Sequence, residues 1–267
     1  MLAEIRQADA PPEIAAIYAD IRAVSGVPMV NLIWRHFATL PGVLDWAWTA
    51  LRPLVGSEEM QAARARVAAA VALPSIPRLA PEALAEAGLD AAGLDALRAM
   101  MAAYVRGNLT NMVALTALRL RLDAPDRPAA QFAPGPVAPA AQLLPPLPHI
   151  EALTDDLVAT IRALAASHDG AGGGVIPSLY LALAPWPGVV NALARWLGPL
   201  YALDAMRTAR ASTVRVAEQE AAAMLPSIAQ APAGLAAMRP TLDRFTRLVI
   251  PDLIPVCIAL SGLLSLG

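Results

Sequence analysis

Residues 40–54 read LPGVLDWAWTALRPL, and residues 186–200 read WPGVVNALARWLGPL. The stretches keep a constant offset of 146, which pairs Pro41 with Pro187, Gly42 with Gly188, Leu51 with Leu197, Pro53 with Pro199 and Leu54 with Leu200. Upstream, Ile21-Arg22 pairs with Ile161-Arg162 at an offset of 140. The difference of six falls on the glycine-rich stretch Gly170 to Gly174, where an insertion costs least. Downstream, Leu73-Pro74-Ser75-Ile76 recurs as Leu225-Pro226-Ser227-Ile228 and Ala92-Gly93-Leu94 as Ala233-Gly234-Leu235, which sets Tyr104 opposite Phe245. Matches that keep their order along the chain read as an internal duplication.

Between the copies, residues 125–148 hold eight prolines, a composition that forms an extended connector and no helix interior. The chain therefore divides into a first helical repeat (1–124), a Pro-rich linker (125–148) and a second helical repeat (149–267). Ile14, Ile17, Tyr18 and Ile21 make one apolar helix face. Ser57 is placed to cap a helix over 58–72, Pro81 opens one that Gly88 ends, and two further helices are expected over 91–105 and 109–122. No run alternates as a strand does. The expectation is an all-α fold of two tandem bundles, roughly five helices each, related by a pseudo-two-fold axis with a ligand site where they meet.

Composition narrows the function classes. The net charge is −2 with no basic patch, which argues against a nucleic-acid partner. All 20 basic residues are arginine, so lysine Schiff-base chemistry and a P-loop are excluded. The single cysteine, Cys257, forms no internal disulfide and no Cys-based zinc site, and reads as a small buried apolar residue. Three scattered histidines make no metal site. The glycines at 170–174 lack the preceding strand of a dinucleotide fingerprint, and no cofactor is expected. Residues 171–194 and 248–267 are apolar enough to suggest membrane spans. Prolines break the first and Asp252 interrupts the second, so both read as buried segments of a soluble, cytoplasmic protein. The opening residues, MLAEIRQADAPPEI, carry acids and lack the apolar core of a signal peptide.

The second repeat contains the run Pro177-Ser178-Leu179-Tyr180-Leu181-Ala182-Leu183-Ala184-Pro185-Trp186-Pro187. This resembles the active-site segment of the group I (DehI-type) 2-haloacid dehalogenases, whose pattern is Ser-Asp-aromatic-x-Ala-Leu-Ala-x-Trp-Pro. Tyr18, Asp20, Ile21, Arg22, Val27, Pro28, Val30, Arg35, Ala38, Pro41 and Gly42 are similar to the first-repeat pattern. Gly107-Asn108 resembles a third element that sets a pocket amide at a helix start. The resemblance implies an all-helical, duplicated fold, a homodimer, and hydrolysis of 2-haloalkanoic acids through an aspartate that activates water without a covalent ester. It also implies that Ser178 is a pocket hydroxyl, Asn108 a pocket amide, and that the aspartate should stand where this chain has Leu179. Leucine accepts no proton, and a positioned base contributes about 10²–10⁴-fold. Two aromatic positions of the family pocket are Met29 and Leu32 here, and the expected tyrosine is Asn111.

Among the remaining candidates, Asp252 lies in LVIPDLIPV, opposite Asn111 in the repeat. Burial would raise its pKa and suit it to general-base work; alternatively it caps a helix or pairs with an arginine such as Arg247. Asp169 beside His168 is a second candidate base, or the start of a solvated loop. Arg35 either grips a substrate carboxylate or pairs with an internal acid. His36 reads as an ordinary helix-face histidine. Trp46 and Trp48 point to different helix faces, so at least one is core or dimer interface. Ser178 has no nucleophile elbow and no nearby histidine in sequence.

Three readings stay open. The first is a divergent enzyme acting on a small apolar carboxylic acid, with Asp252 as base and Ser178, Tyr180, Asn108 and Asn111 as polar contacts. The second is a non-catalytic small-molecule-binding protein. The third is a haloacid dehalogenase with a relocated base. A buried Asp252 facing a cavity favours the first or third; a salt-bridged Asp252 favours the second.

Overall fold

A computed structural model describes residues 2–74, 79–136, 147–168, 176–201 and 204–264. Asp169, the glycine-rich stretch 170–174, Ser75-Ile76 and three of the linker prolines lie outside them. Among the described residues there is no strand, only an isolated bridge between Ser57 and Pro134. Before the linker come α1 (Pro12–Ser25), α2 (Leu32–Phe37), α3 (Val43–Val55), α4 (Glu58–Ala69), α5 (Pro81–Glu86) and α6 (Ala91–Asp123). After it come α7 (Asp155–Ala166), α8 (Ser178–Ala182), α9 (Pro187–Tyr201), α10 (Asp204–Ala222), α11 (Leu235–Arg244) and α12 (Ile250–Leu263).

Local chemistry sets several boundaries. The Ser57 hydroxyl accepts from Met60 N at 3.1 Å at the start of α4, and Asp90 accepts from Gly93 N at 2.7 Å at the start of α6. Gly88, with φ +77°, stops the α5 segment in the left-handed region.

Where two helices were expected over 91–105 and 109–122, one helix of 33 residues runs unbroken. Gly107 and Asn108 do not interrupt it, because every residue from Gly107 to Arg119 is buried. The Asn108 amide bonds back to Tyr104 O at 2.9 Å, inside its own helix. Packing on all sides outweighs the roughly 1 kcal/mol by which an interior glycine disfavours a helix. Asn108 is therefore mid-helix and not at a helix start.

Helix α6 is the axis of the molecule and packs most extensively on α12 and α10. Its partner rod, Leu235–Leu263, is long and apolar enough to cross a membrane, yet 72% of its most apolar window is buried inside the protein. A π turn over Phe245–Val249 joins α11 to α12. It widens the helix immediately before Pro251, whose ring would otherwise crowd the carbonyl four residues back. Arg119 pairs with Glu218 at 2.6 Å and Arg66 with Glu220 at 2.7 Å, so both links bind the first half to α10. The linker lies along the helices, with Gly135 N on Gly56 O at 2.7 Å and Ala130 N on Leu225 O at 2.8 Å.

Candidate active site

Helix α8 carries the run that resembles the haloacid dehalogenase segment, and its five residues divide between two environments. Ser178, Leu181 and Ala182 face a cavity of about 480 Å³; Leu179 and Tyr180 are 1% and 0% exposed and face the core. The cavity is closed by the Pro28–Val30 turn, by Arg35 of α2, by Met100 and Tyr104 of α6, by Trp186 and by the N-terminal segment at Gln7 and Ala8. A second lobe of about 430 Å³ shares Gln7, Ala8, Arg35, Leu147, Ser178 and Leu181 with the first. Of the residues singled out from sequence, Met29 lines the first lobe, Leu32 the second, and Arg35 and Ser178 both.

The other five stand apart from these lobes, in the protein interior. Asn111 accepts from Trp34 Nε1 at 2.9 Å, and Asn108 donates to Tyr104 O. The Tyr180 hydroxyl lies 2.5 Å from His168 Nε2. Leu179 packs in the hydrophobic core. Asp252 forms an ion pair with Arg210 at 2.8 Å, their side chains 5% and 15% exposed. Arg247, the partner suggested by sequence, instead faces Asp243 at 3.9 Å. Burial pushes the Cys257 thiol up to about 12, with the contact from the Asn108 amide opposing. His36 holds the N-terminal segment, its Nδ1 lying 2.8 Å from Ala3 O.

The cavity also brings in residues that sequence reasoning did not assign to it. The Tyr104 hydroxyl donates to Ser178 Oγ at 3.4 Å. Burial pushes Tyr104 up to about 12, with the Ser178 contact opposing, so the phenol stays protonated and able to donate at neutral pH. Arg22 reaches the cavity from α1 and donates to Gln7 Oε1 at 2.7 Å. Arg35 is bound by Glu4 through Nε at 2.5 Å and by Val30 O through Nη1 at 3.0 Å. Among the described residues, the first lobe is lined by two guanidiniums and no carboxylate. The second lobe is lined by Glu4, Asp9 and Glu151 against Arg6 and Arg35. Among those residues no cluster is suited to hold a metal.

Comparison with solved structures shows what this arrangement of helices is. A D-2-haloacid dehalogenase mutant in complex with D-2-CPA superposes with a TM-score of 0.77 over 99% of this chain and 94% of that one, at 19% identity. The fold is that of the D-2-haloacid dehalogenases. A complex of D-2-haloacid dehalogenase with L-LA gives a TM-score of 0.76 over the same shares, at 18% identity. In sequence, an (R)-2-haloacid dehalogenase of Pseudomonas putida is 35% identical over 89 residues, which span 32% of this chain and 30% of that protein's length. No protein-family model matches the chain. The resemblance to the 2-haloacid dehalogenases thus holds in both fold and sequence.

Proposed function

We propose that this protein is a divergent relative of the 2-haloacid dehalogenases that binds a small, largely apolar monocarboxylic acid in the 480 Å³ lobe. The observation that carries this reading is the charge of the wall. Arg22 makes no ion pair among the described residues and is held only by the neutral Gln7 amide, above a floor built from Met29, Val30, Met100, Leu181 and Trp186. A guanidinium against an apolar cavity matches a ligand with a carboxylate at one end and a short hydrocarbon at the other. Ser178 and Tyr104 supply hydroxyls to orient it.

Efficient haloacid hydrolysis is not part of this proposal. Leu179 offers no proton acceptor, and the Asp252 carboxylate is committed to Arg210. That ion pair supports ligand binding over a relocated-base dehalogenase. The family fold is kept, and a duplicated origin is supported by the order of elements on either side of the linker. Helices of 14, 6, 13, 12 and 6 residues precede the long α6, and helices of 12, 5, 15 and 19 residues precede the α11–α12 rod, so the order matches apart from the short α5.

Calorimetry with butanoate and butanamide tests the reading. Butanoate binds and butanamide does not, and Arg22→Gln weakens butanoate by roughly 10- to 100-fold, the range of a lost charge-assisted hydrogen bond. Equal binding of acid and amide would contradict the proposal.

A further inference from the structure

Resting on that reading, we infer that Glu4 sets the charge the site accepts, making it selective for monocarboxylates over dicarboxylates. Both guanidiniums of the first lobe are held by one short stretch of chain, and they are held differently. Glu4 gives Arg35 a full negative charge at 2.5 Å; Gln7 gives Arg22 a neutral amide at 2.7 Å. The stretch is fixed in place by Ile5 N on Arg35 O at 3.0 Å, by the Tyr18 hydroxyl on Ile5 O at 2.9 Å and by His36 on Ala3 O. Its position is therefore built into the fold.

The charge count follows from these contacts. Arg22 and Arg35 contribute two positive charges, and Glu4 cancels one of them from the adjoining lobe. One ligand carboxylate on Arg22 neutralises what remains. A second carboxylate would have to take Arg35, whose side chain is only 7% exposed, and leave Glu4 beside it as an unpaired like charge. The Arg35 Nη1 is already used on Val30 O, so the guanidinium cannot turn to serve both acids without losing that bond.

The test compares butanoate with butanedioate, which have the same carbon count and differ by one carboxylate. The wild-type protein binds butanoate at least ten times more tightly than butanedioate. Glu4→Gln keeps an acceptor for Arg35 Nε while removing the charge, and shrinks that ratio tenfold or more. Gln7→Glu, placing a carboxylate on Arg22 as well, loses butanoate binding by tenfold or more. That second variant leaves Glu4 in place and tests, whatever the folding of Glu4→Gln, whether a carboxylate held against a lobe guanidinium cancels the charge it offers a ligand. Butanoate binding with a ratio unchanged by Glu4→Gln overturns the role of Glu4 alone, whereas butanoate binding retained in Gln7→Glu overturns the charge count and the Arg22 anchor with it. A wild-type protein that binds neither acid overturns the monocarboxylate site together with it.

Discussion

The polar core and the cavity beside α8 have similar polar inventories and opposite chemical states. In the core, Asn108, Asn111, Trp34, Tyr180, His168, Asp252 and Arg210 are buried or nearly so, and each makes a polar contact inside the protein. On the cavity side, Arg22, Arg35, Tyr104 and Ser178 border open volume, and Arg22 has only a neutral partner. A buried polar group costs stability unless its partner is fixed, so a fully paired set is what any fold needs and says little about a ligand. A half-buried arginine with only a neutral partner beside an apolar cavity is different, because the fold leaves room for a charged partner from outside.

Three substitutions would break or sharpen this contrast. The largest effect is expected from Leu179→Asp, which places a carboxylate where the dehalogenase pattern has one. Leu179 is 1% exposed in an apolar cluster, so the unpaired acid should cost several kcal/mol and release no halide from 2-chloropropionate. A stable, haloacid-hydrolysing variant would move the site to the core face. Next is Asp252→Asn, which strands the Arg210 charge and should lower stability by about 3 kcal/mol in denaturant unfolding. Its butanoate affinity should stay at the wild-type value; a large loss there would give Asp252 a part in binding. The smallest stability effect belongs to Arg22→Gln, within about 0.5 kcal/mol of wild type despite its loss of ligand. A strongly destabilised Arg22→Gln would make that arginine a structural residue.

Much of the fold was legible because short-range rules decide it. The Ser57 cap, the Pro81 start and the Gly88 stop each depend on residues within one turn. The unity of α6 was not legible, since Gly107-Asn108 reads locally as a break and only burial against other helices overrides it. The paired glycines of the repeat show the same limit. Gly42 is needed for its φ of +70°, whereas Gly188 is helical and needed because any Cβ there would lie 2.2 Å from Ala87 O. One motif thus serves two unrelated physical demands. In the site, the α8 segment was singled out by its resemblance to the dehalogenase pattern, and Arg35 by its charge on an otherwise apolar helix. Glu4, Gln7 and Arg22 were not, because their meeting depends on how the N-terminal stretch crosses α1 and α2, which no spacing in the chain encodes.

The most direct measurement is a crystal structure with 2-bromobutanoate, located by the anomalous signal of bromine. The account predicts a bromine peak in the lobe between Met100 and Trp186, with the carboxylate against the Arg22 guanidinium. A peak in the core, beside Asn108 and Cys257, would contradict it and return the binding site to the buried polar residues.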